Sequence, residues 1–291
     1  MQKIIACFHA RCSDGISAAW VLQKKYPNAE FHGIRPSETD FSSVDFRGAI
    51  VFFLDVSPAS FEGILQVAEK VFVYDHHATT KKLVDSLQGN DKLSVVFDFE
   101  RSGCLITWDE LFPGEERPWF LEYVDDRDRW QWNLPNSREI NEAIYSQGWM
   151  ERLDDLWKTE KENLIAPGRD VLQIKEKQIR DALREALPVR FLSYDIWLCQ
   201  AKWQMRSEVG NLLCSEALPN GKLPSFSAIW KFDEETGEIW ISLRGEKKSP
   251  CLASICEMFG GGGHPKAAAF TLRSSKEFEE TFEQIISPHM S

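Results

Sequence analysis

Three short apolar runs, each ending in a residue that can hold a metal or a proton, constrain this chain more than any other feature. Ile4-Ile5-Ala6-Cys7-Phe8 runs into His9, Ala49 to Leu54 into Asp55, and Val71-Phe72-Val73-Tyr74 into Asp75. Ser94 to Phe97 is a fourth run. Runs of this length, bounded by polar turns and separated by helical patterns such as Ile16 to Tyr26, predict an α/β fold: a mostly parallel sheet with helices on both faces. Open α/β sheets bind ligands at the carboxyl ends of their strands. His9, Asp14, Asp55 and Asp75-His76-His77 are therefore expected along one rim of the sheet.

From Leu105 to about Leu187 the pattern is mainly helical, and the charged stretch Val171 to Leu187 reads as a solvated connecting helix. Pro188 marks a change. Strand-like runs follow at Phe191 to Cys199, Phe226 to Phe232, Glu238 to Leu243 and Ala268 to Leu272, with helical segments between them. The parse is a domain over 1–187 with its helical connector and a smaller C-terminal α/β domain over 188–291, the active site lying in the cleft between them.

Composition narrows the partners. The 291 residues carry a net charge of -11, and a protein that grips long duplex nucleic acid shows a basic surface, because phosphate contacts dominate that affinity. A short oligonucleotide or a small nucleotide fits an acidic chain better. Seven Cys without a CxxC pair point to a reducing compartment. No apolar run is long enough for a signal peptide core or a bilayer span. The expectation is a soluble, cytoplasmic protein with no membrane partner, and an oligomer remains open.

Asp75-His76-His77 combines carboxylate and imidazole, a donor set that suits divalent Mn, Zn or Fe. Taken alone it could equally be a polar strand end. His9-Ala10-Arg11-Cys12-Ser13-Asp14-Gly15 leaves the first strand and enters the first helix, offering an imidazole, a thiol and a carboxylate on one turn. Gly15 could supply an unusual backbone angle there, and Ser13 or Asp14 could cap the helix. Gly260-Gly261-Gly262-Gly263 without context reads as a flexible loop.

Together, His9-x-x-Cys12-x-Asp14-Gly15, Asp55, Asp75-His76-His77 and Gly260-Gly261-Gly262-Gly263-His264 resemble the DHH phosphoesterase superfamily, and the last run resembles the signature of its DHH-associated C-terminal domain. The oligoribonuclease and cyclic-nucleotide phosphodiesterase branch is the most similar. The resemblance implies a metal-dependent phosphodiesterase, of the 3'-5' exonuclease type that trims very short RNA or DNA. Alternatives are a phosphodiesterase or phosphatase for a cyclic or linear dinucleotide or a bisphosphate nucleotide, and a catalytically weakened nucleotide or metal sensor.

It further implies two divalent ions, Mn2+ first, with His9, Asp14, Asp55 and His76 as ligands and Asp55 bridging. Asp128 is the expected last carboxylate ligand and Asp126 its rival. His77 falls near the substrate phosphate and Asp75 supports the triplet. Gly261, Gly262, Gly263, His264 and Arg244 are implied in substrate binding, where the planar fork of an Arg suits phosphate. Two departures stand out. Cys12 replaces the family's first Asp in that motif, so it is either a softer ligand favouring Zn2+ or Fe2+ or a small buried thiol. Ala269 replaces a Gly after the glycine run.

Overall fold

The computed structural model describes residues 2–36, 38–87 and 89–284. The backbone packs as two units, Met1–Gln173 and Ile174–Ser291.

The first unit is built on a five-stranded, all-parallel sheet. Its strands are β1 (Ile4–His9), β2 (Glu30–Ile34), β3 (Ile50–Leu54), β4 (Lys70–Asp75) and β5 (Leu93–Phe97), in the order β2-β1-β3-β4-β5. The helices are α1 (Ser13–Lys25), α2 (Glu62–Val67), α3 (Ala78–Asp85), α4 (Gly103–Leu111), α5 (Trp119–Asp128), α6 (Ser137–Ser146), α7 (Leu153–Lys158) and α8 (Ile165–Arg184). Alternate strand residues point to opposite faces, and each face meets its own core. Ala6, Phe52, Leu54 and Tyr74 pack with Trp20, Leu105, Phe120 and Ile140 on one side. Ile5, Cys7, Val51, Phe53, Val71 and Val73 pack with Phe61, Ile64 and Val84 on the other. Burial on both faces explains why these strands read as continuous apolar runs rather than alternating ones. β2 has no such run. It is an edge strand with Glu30 and Gly33 exposed, and the sequence reading passed over it.

The second unit holds β6 (Leu187–Phe191), β7 (Tyr194–Gln200), α9 (Arg206–Cys214), β8 (Ser227–Phe232), β9 (Ile239–Arg244), α10 (Leu252–Glu257), β10 (Gly262–His264), β11 (Ala267–Leu272), α11 (Ser275–Thr281) and β12 (Phe282–Gln284). Its mixed sheet has the order β10-β11-β9-β8-β7-β6-β12, with β7 and β8 parallel and the other pairs antiparallel. The run Phe191 to Cys199, expected as one strand, is a hairpin. Leu192 adopts φ 53°, the chain reverses there, and Phe191 pairs with Tyr194. The connecting helix begins earlier than its charge pattern suggests, at Ile165, and spans the boundary between the units. Among the described residues no helix is long and apolar enough to cross a membrane.

Candidate metal centre

β1, β3 and β4 are parallel neighbours in register, so their C-terminal ends bring His9, Asp55 and Asp75 to one edge. The turn after β1 carries Arg11 at φ 59° and then Cys12, whose carbonyl accepts from Ile16 N at 3.0 Å to start α1. Gly15 is helical rather than left-handed, which corrects the sequence expectation. Its role is close approach: a Cβ there would lie 2.5 Å from His9 Cβ and from His9 O. Only glycine lets α1 close over the end of β1.

Asp14 does not cap its own helix. Its carboxylate, fully buried, accepts from Gly103 N at 2.7 Å and Cys104 N at 2.8 Å, and so caps α4, whose N-terminal dipole end favours an anion. Gly103 is required too, since a Cβ there would meet Asp55 Cβ at 2.6 Å. Ser102-Gly103-Cys104 is therefore a part of the site that sequence reasoning missed. A serine-glycine pair ahead of an apolar helix was its only local signal.

Asp55 follows β3 at φ 59°, a left-handed conformation that Asp tolerates better than bulkier residues. It sits at the centre of the cluster. Its Oδ2 lies 3.1 Å from His9 Nδ1, and its Oδ1 lies 3.2 Å from His76 Nε2 and 3.6 Å from His77 Nδ1. His76 Nε2 also has Asp128 Oδ2 at 3.3 Å and Asp14 Oδ2 at 3.7 Å. Carboxylates from three elements thus converge on one buried ring nitrogen. Asp128, the last residue of α5, is the one that reaches the cluster. Asp126 is committed elsewhere: its oxygens accept from Asn133 N at 2.8 Å and Leu134 N at 3.3 Å, shaping the turn after α5.

Asp75 is saturated from within. Its Oδ1 accepts from His76 N at 2.6 Å and His77 N at 3.0 Å and lies 2.7 Å from His77 Nδ1, while Oδ2 accepts from Thr80 Oγ1 at 2.6 Å. Ser57 Oγ is 2.9 Å from the same Thr80 hydroxyl. This carboxylate positions the triplet and fixes the His77 ring. Thr80 and Ser57 are further supports that the sequence did not point out.

The charge balance is uneven. Burial and the nearby Asp55 and Asp128 charges push the Asp14 carboxyl well above its usual range. Burial also raises Asp128, against the pull of His76. At Asp55 burial acts upward, yet His76 and His9 outweigh it and hold the carboxyl well below its usual range. Burial opposes the charged form of His76, but Asp55, Asp128 and Asp14 together raise it well above the ordinary imidazole value. Burial likewise opposes charge on His9, and Cys12 and Asp55 outweigh it to raise that ring in the same way. Buried carboxylates at this density need a cation or protons between them.

The donor set fits a divalent metal. His9, Cys12 and Asp55 offer ligand atoms within 4.8 Å of one another, and so, separately, do Asp14, His76 and Asp128. Asp55 Oδ1, sealed from solvent, makes no well-aligned hydrogen bond among the described residues. Burial raises the Cys12 thiol, partly offset by His9, so a thiolate there requires a cation beside it.

In the second unit, Gly262–His264 is a strand, not a loop: β10 pairs antiparallel with Ala267–Ala269. A Cβ on Gly261 would meet Ala269 O at 2.1 Å, so the backbones nearly touch. Ala269 itself pairs with both Gly262 and Ser242 in regular strand geometry, which any residue accepts. Arg244 ends β9, and its guanidinium donates to Ser242 Oγ at 2.7 Å, Leu243 O at 2.8 Å and Ser207 Oγ at 2.9 Å. Burial and the neighbouring Arg206 lower its pKa to about 9. Among the described residues no carboxylate pairs with it within 4.0 Å.

No family model matches the chain. An uncharacterized protein, R106, from Acanthamoeba polyphaga mimivirus is 25% identical over 302 residues, covering 94% of this chain and 69% of that protein. Among solved structures, the DHH domain of a member of the S1p family of ribosomal proteins superposes with a TM-score of 0.54 at 12% identity, covering 96% of this chain and 84% of that one. RecJ from Thermus thermophilus in complex with Mn2+ gives 0.52 at 14% identity, covering 93% of this chain and 49% of RecJ. An exopolyphosphatase-related protein from Bacteroides fragilis gives 0.51 at 15% identity, covering 96% and 91%. The chain has a DHH-like fold.

Proposed function

We propose that this chain is a metal-dependent phosphodiesterase that hydrolyses short oligonucleotides, removing nucleotides in the 3'-5' direction. The observation that carries this reading is the convergence of Asp14, Asp55 and Asp128 on His76 Nε2, at 3.2–3.7 Å. His9, Cys12 and Asp55 would hold one divalent ion and Asp14, His76 and Asp128 a second, with Asp55 between them. Manganese is the expected ion, and the Cys12 thiol shifts preference toward zinc or iron. When bound, such ions generate a nucleophile from water near neutral pH and neutralise phosphoryl charge.

The chain's own residues do the rest. Asp75 holds the His77 ring at Nδ1, so the orientation of that ring is set before substrate arrives. His77 would steady a phosphoryl oxygen. The glycine-lined strand and Arg244 of the second unit would bind a terminal phosphate, Arg244 through its two-pronged fork. The net charge of -11 supports a short substrate over a long duplex.

The test is a panel of 5'-labelled oligonucleotides, from dinucleotides to long single strands, incubated with Mn2+ and the purified protein or its Asp55→Asn variant. Dinucleotide turnover that collapses in Asp55→Asn is expected. Undiminished turnover in the variant would overturn the assignment.

A further inference from the structure

Ala10 and Arg11, in the turn between His9 and Cys12, also line a cavity with no part in holding a metal. It measures about 460 Å³ and lies wholly in the first unit, between α1, the edge strand β2 and the segment before α7. Its walls include Phe8, Phe31, Trp20, the Met150 thioether, Ala19 and Arg11. That volume falls within the roughly 300–1,000 Å³ of small-molecule pockets. Beside the aliphatic Ile16 and Leu153 and the polar Gln23 and Glu151, the walls hold flat rings and a polarizable sulfur, surfaces that favour an aromatic guest.

Arg11 makes the cavity more than a packing gap. It is exposed, at φ 59°, a backbone state that costs a long side chain about 1–3 kcal/mol and that Gly or Asn would adopt more easily. Among the described residues no carboxylate pairs with it, even though Glu151 lines the same cavity. A strained, uncompensated guanidinium at the rim of an aromatic cavity suits a planar, electron-rich guest lying against it. Location supplies the connection. Ala10 and Arg11 line the cavity, while their chain neighbours His9 and Cys12 present donor atoms to the cluster. Two lining residues are therefore chain neighbours of two of the donors.

We propose that this cavity receives the nucleobase of a nucleotide whose phosphate lies at the His9, Cys12 and Asp55 donors, with Arg11 stacked over the base. This rests on the phosphodiesterase reading for the phosphate's position. Stacking engages any base's π face, so the cavity selects for a base being present rather than for one base over another.

Titration calorimetry of the full chain with Mn2+ tests this, using adenosine 5'-monophosphate and ribose 5-phosphate, which differ only in the base. The monophosphate binds roughly tenfold tighter. Ala19→Met, which fills the cavity from α1, brings it to the ribose 5-phosphate level and leaves ribose 5-phosphate unchanged. Arg11→Ala, on an exposed side chain that cannot unfold the core, weakens the monophosphate alone by about threefold to tenfold, and it decides the matter if Ala19→Met lowers the thermal midpoint sharply. Equal binding of the two probes by wild type, or binding of neither, overturns the proposal. So does an Arg11→Ala protein with unchanged preference. A clear preference without dinucleotide hydrolysis sinks the phosphodiesterase reading and leaves the cavity assignment standing; hydrolysis without the preference does the reverse.

Discussion

The two units treat buried charge in opposite ways. The first gathers Asp14, Asp55 and His76, nearly inaccessible to solvent, where carboxylates outnumber the cations beside them. The second holds a half-buried cation, Arg244, and satisfies it with two serine hydroxyls and a carbonyl instead of a carboxylate. Hydroxyls and carbonyls orient a charge without neutralising it. Each unit thus keeps a preorganised charge that the described residues do not neutralise, an acidic cluster suited to cations and a guanidinium suited to an anion. Such charges cost stability when unpaired, and functional sites are where folds tolerate that cost.

The largest effect is expected at Asp55. Asp55→Asn keeps the left-handed backbone and the volume but removes the central charge, so turnover should fall on the order of 10²–10³-fold or more. The metal-free variant should melt modestly lower than wild type, because the carboxylate that His76 and His9 hold well below its usual range is lost. A large drop in the metal-free midpoint would mean the carboxylate is structural. Gly103→Ala comes next. Its Cβ would fall 2.6 Å from Asp55 Cβ, and we expect about 1–3 kcal/mol of destabilisation in denaturant melts. Gly63→Ala, helical and with nothing within 4 Å of its Cβ, serves as the control and should be more stable by up to about 1 kcal/mol.

Manganese should stabilise the wild type in thermal melts, by about 2.7 kcal/mol at a hundredfold excess over Kd, and should do little for Asp55→Asn. An equal shift in both proteins would move the ion away from Asp55. On the other side of the comparison, Arg244→Met should lower dinucleotide kcat/KM by about tenfold, near 1.4 kcal/mol, while its midpoint stays level or rises. A midpoint that collapses instead would make Arg244 a structural residue.

The smallest effect belongs to a compensated carboxylate. Asp109 accepts from Arg101 and Arg117 at 2.6–2.9 Å, and although burial opposes it, these partners hold its pKa below the usual value. A depressed folded pKa gives stability that is present above the unfolded value, about 3.9, and is lost as pH falls through the folded one. Asp109→Asn should therefore cost about 0–1 kcal/mol at pH 7 and progressively less as pH falls below about 3.9. A cost that does not shrink with acidification would rule out charge as its source.

Much of the first unit was legible because its strands are buried on both faces. The continuous runs at β1, β3, β4 and β5 stand out from their polar ends, and those ends mark the rim. β2 was not legible, since an edge strand with Glu30 and Gly33 exposed carries no such run. In the second unit the hairpin at Leu192 stayed hidden because a single left-handed residue, with no Gly or Asn at the turn, reverses an otherwise unbroken β pattern. The glycine run looked like a loop because its purpose, the close backbone approach of Gly261 to Ala269, depends on a strand that packs beside it.

What the sequence by itself determined is the list of donors and their strand ends: His9, Asp14, Asp55 and the Asp75-His76-His77 triplet on a parallel sheet. That follows from local periodicity, which a single chain displays. The tertiary structure alone decided which carboxylates face His76 and which serve the scaffold. Asp128 ends its helix at the cluster while Asp126 ties down the next loop, Asp75 is consumed by its own triplet, and Asp14 caps a helix 90 residues away. Side-chain identity cannot distinguish these roles, because the same carboxylate is a ligand, a cap or an orienter according to which N–H groups the fold brings within about 3 Å of it.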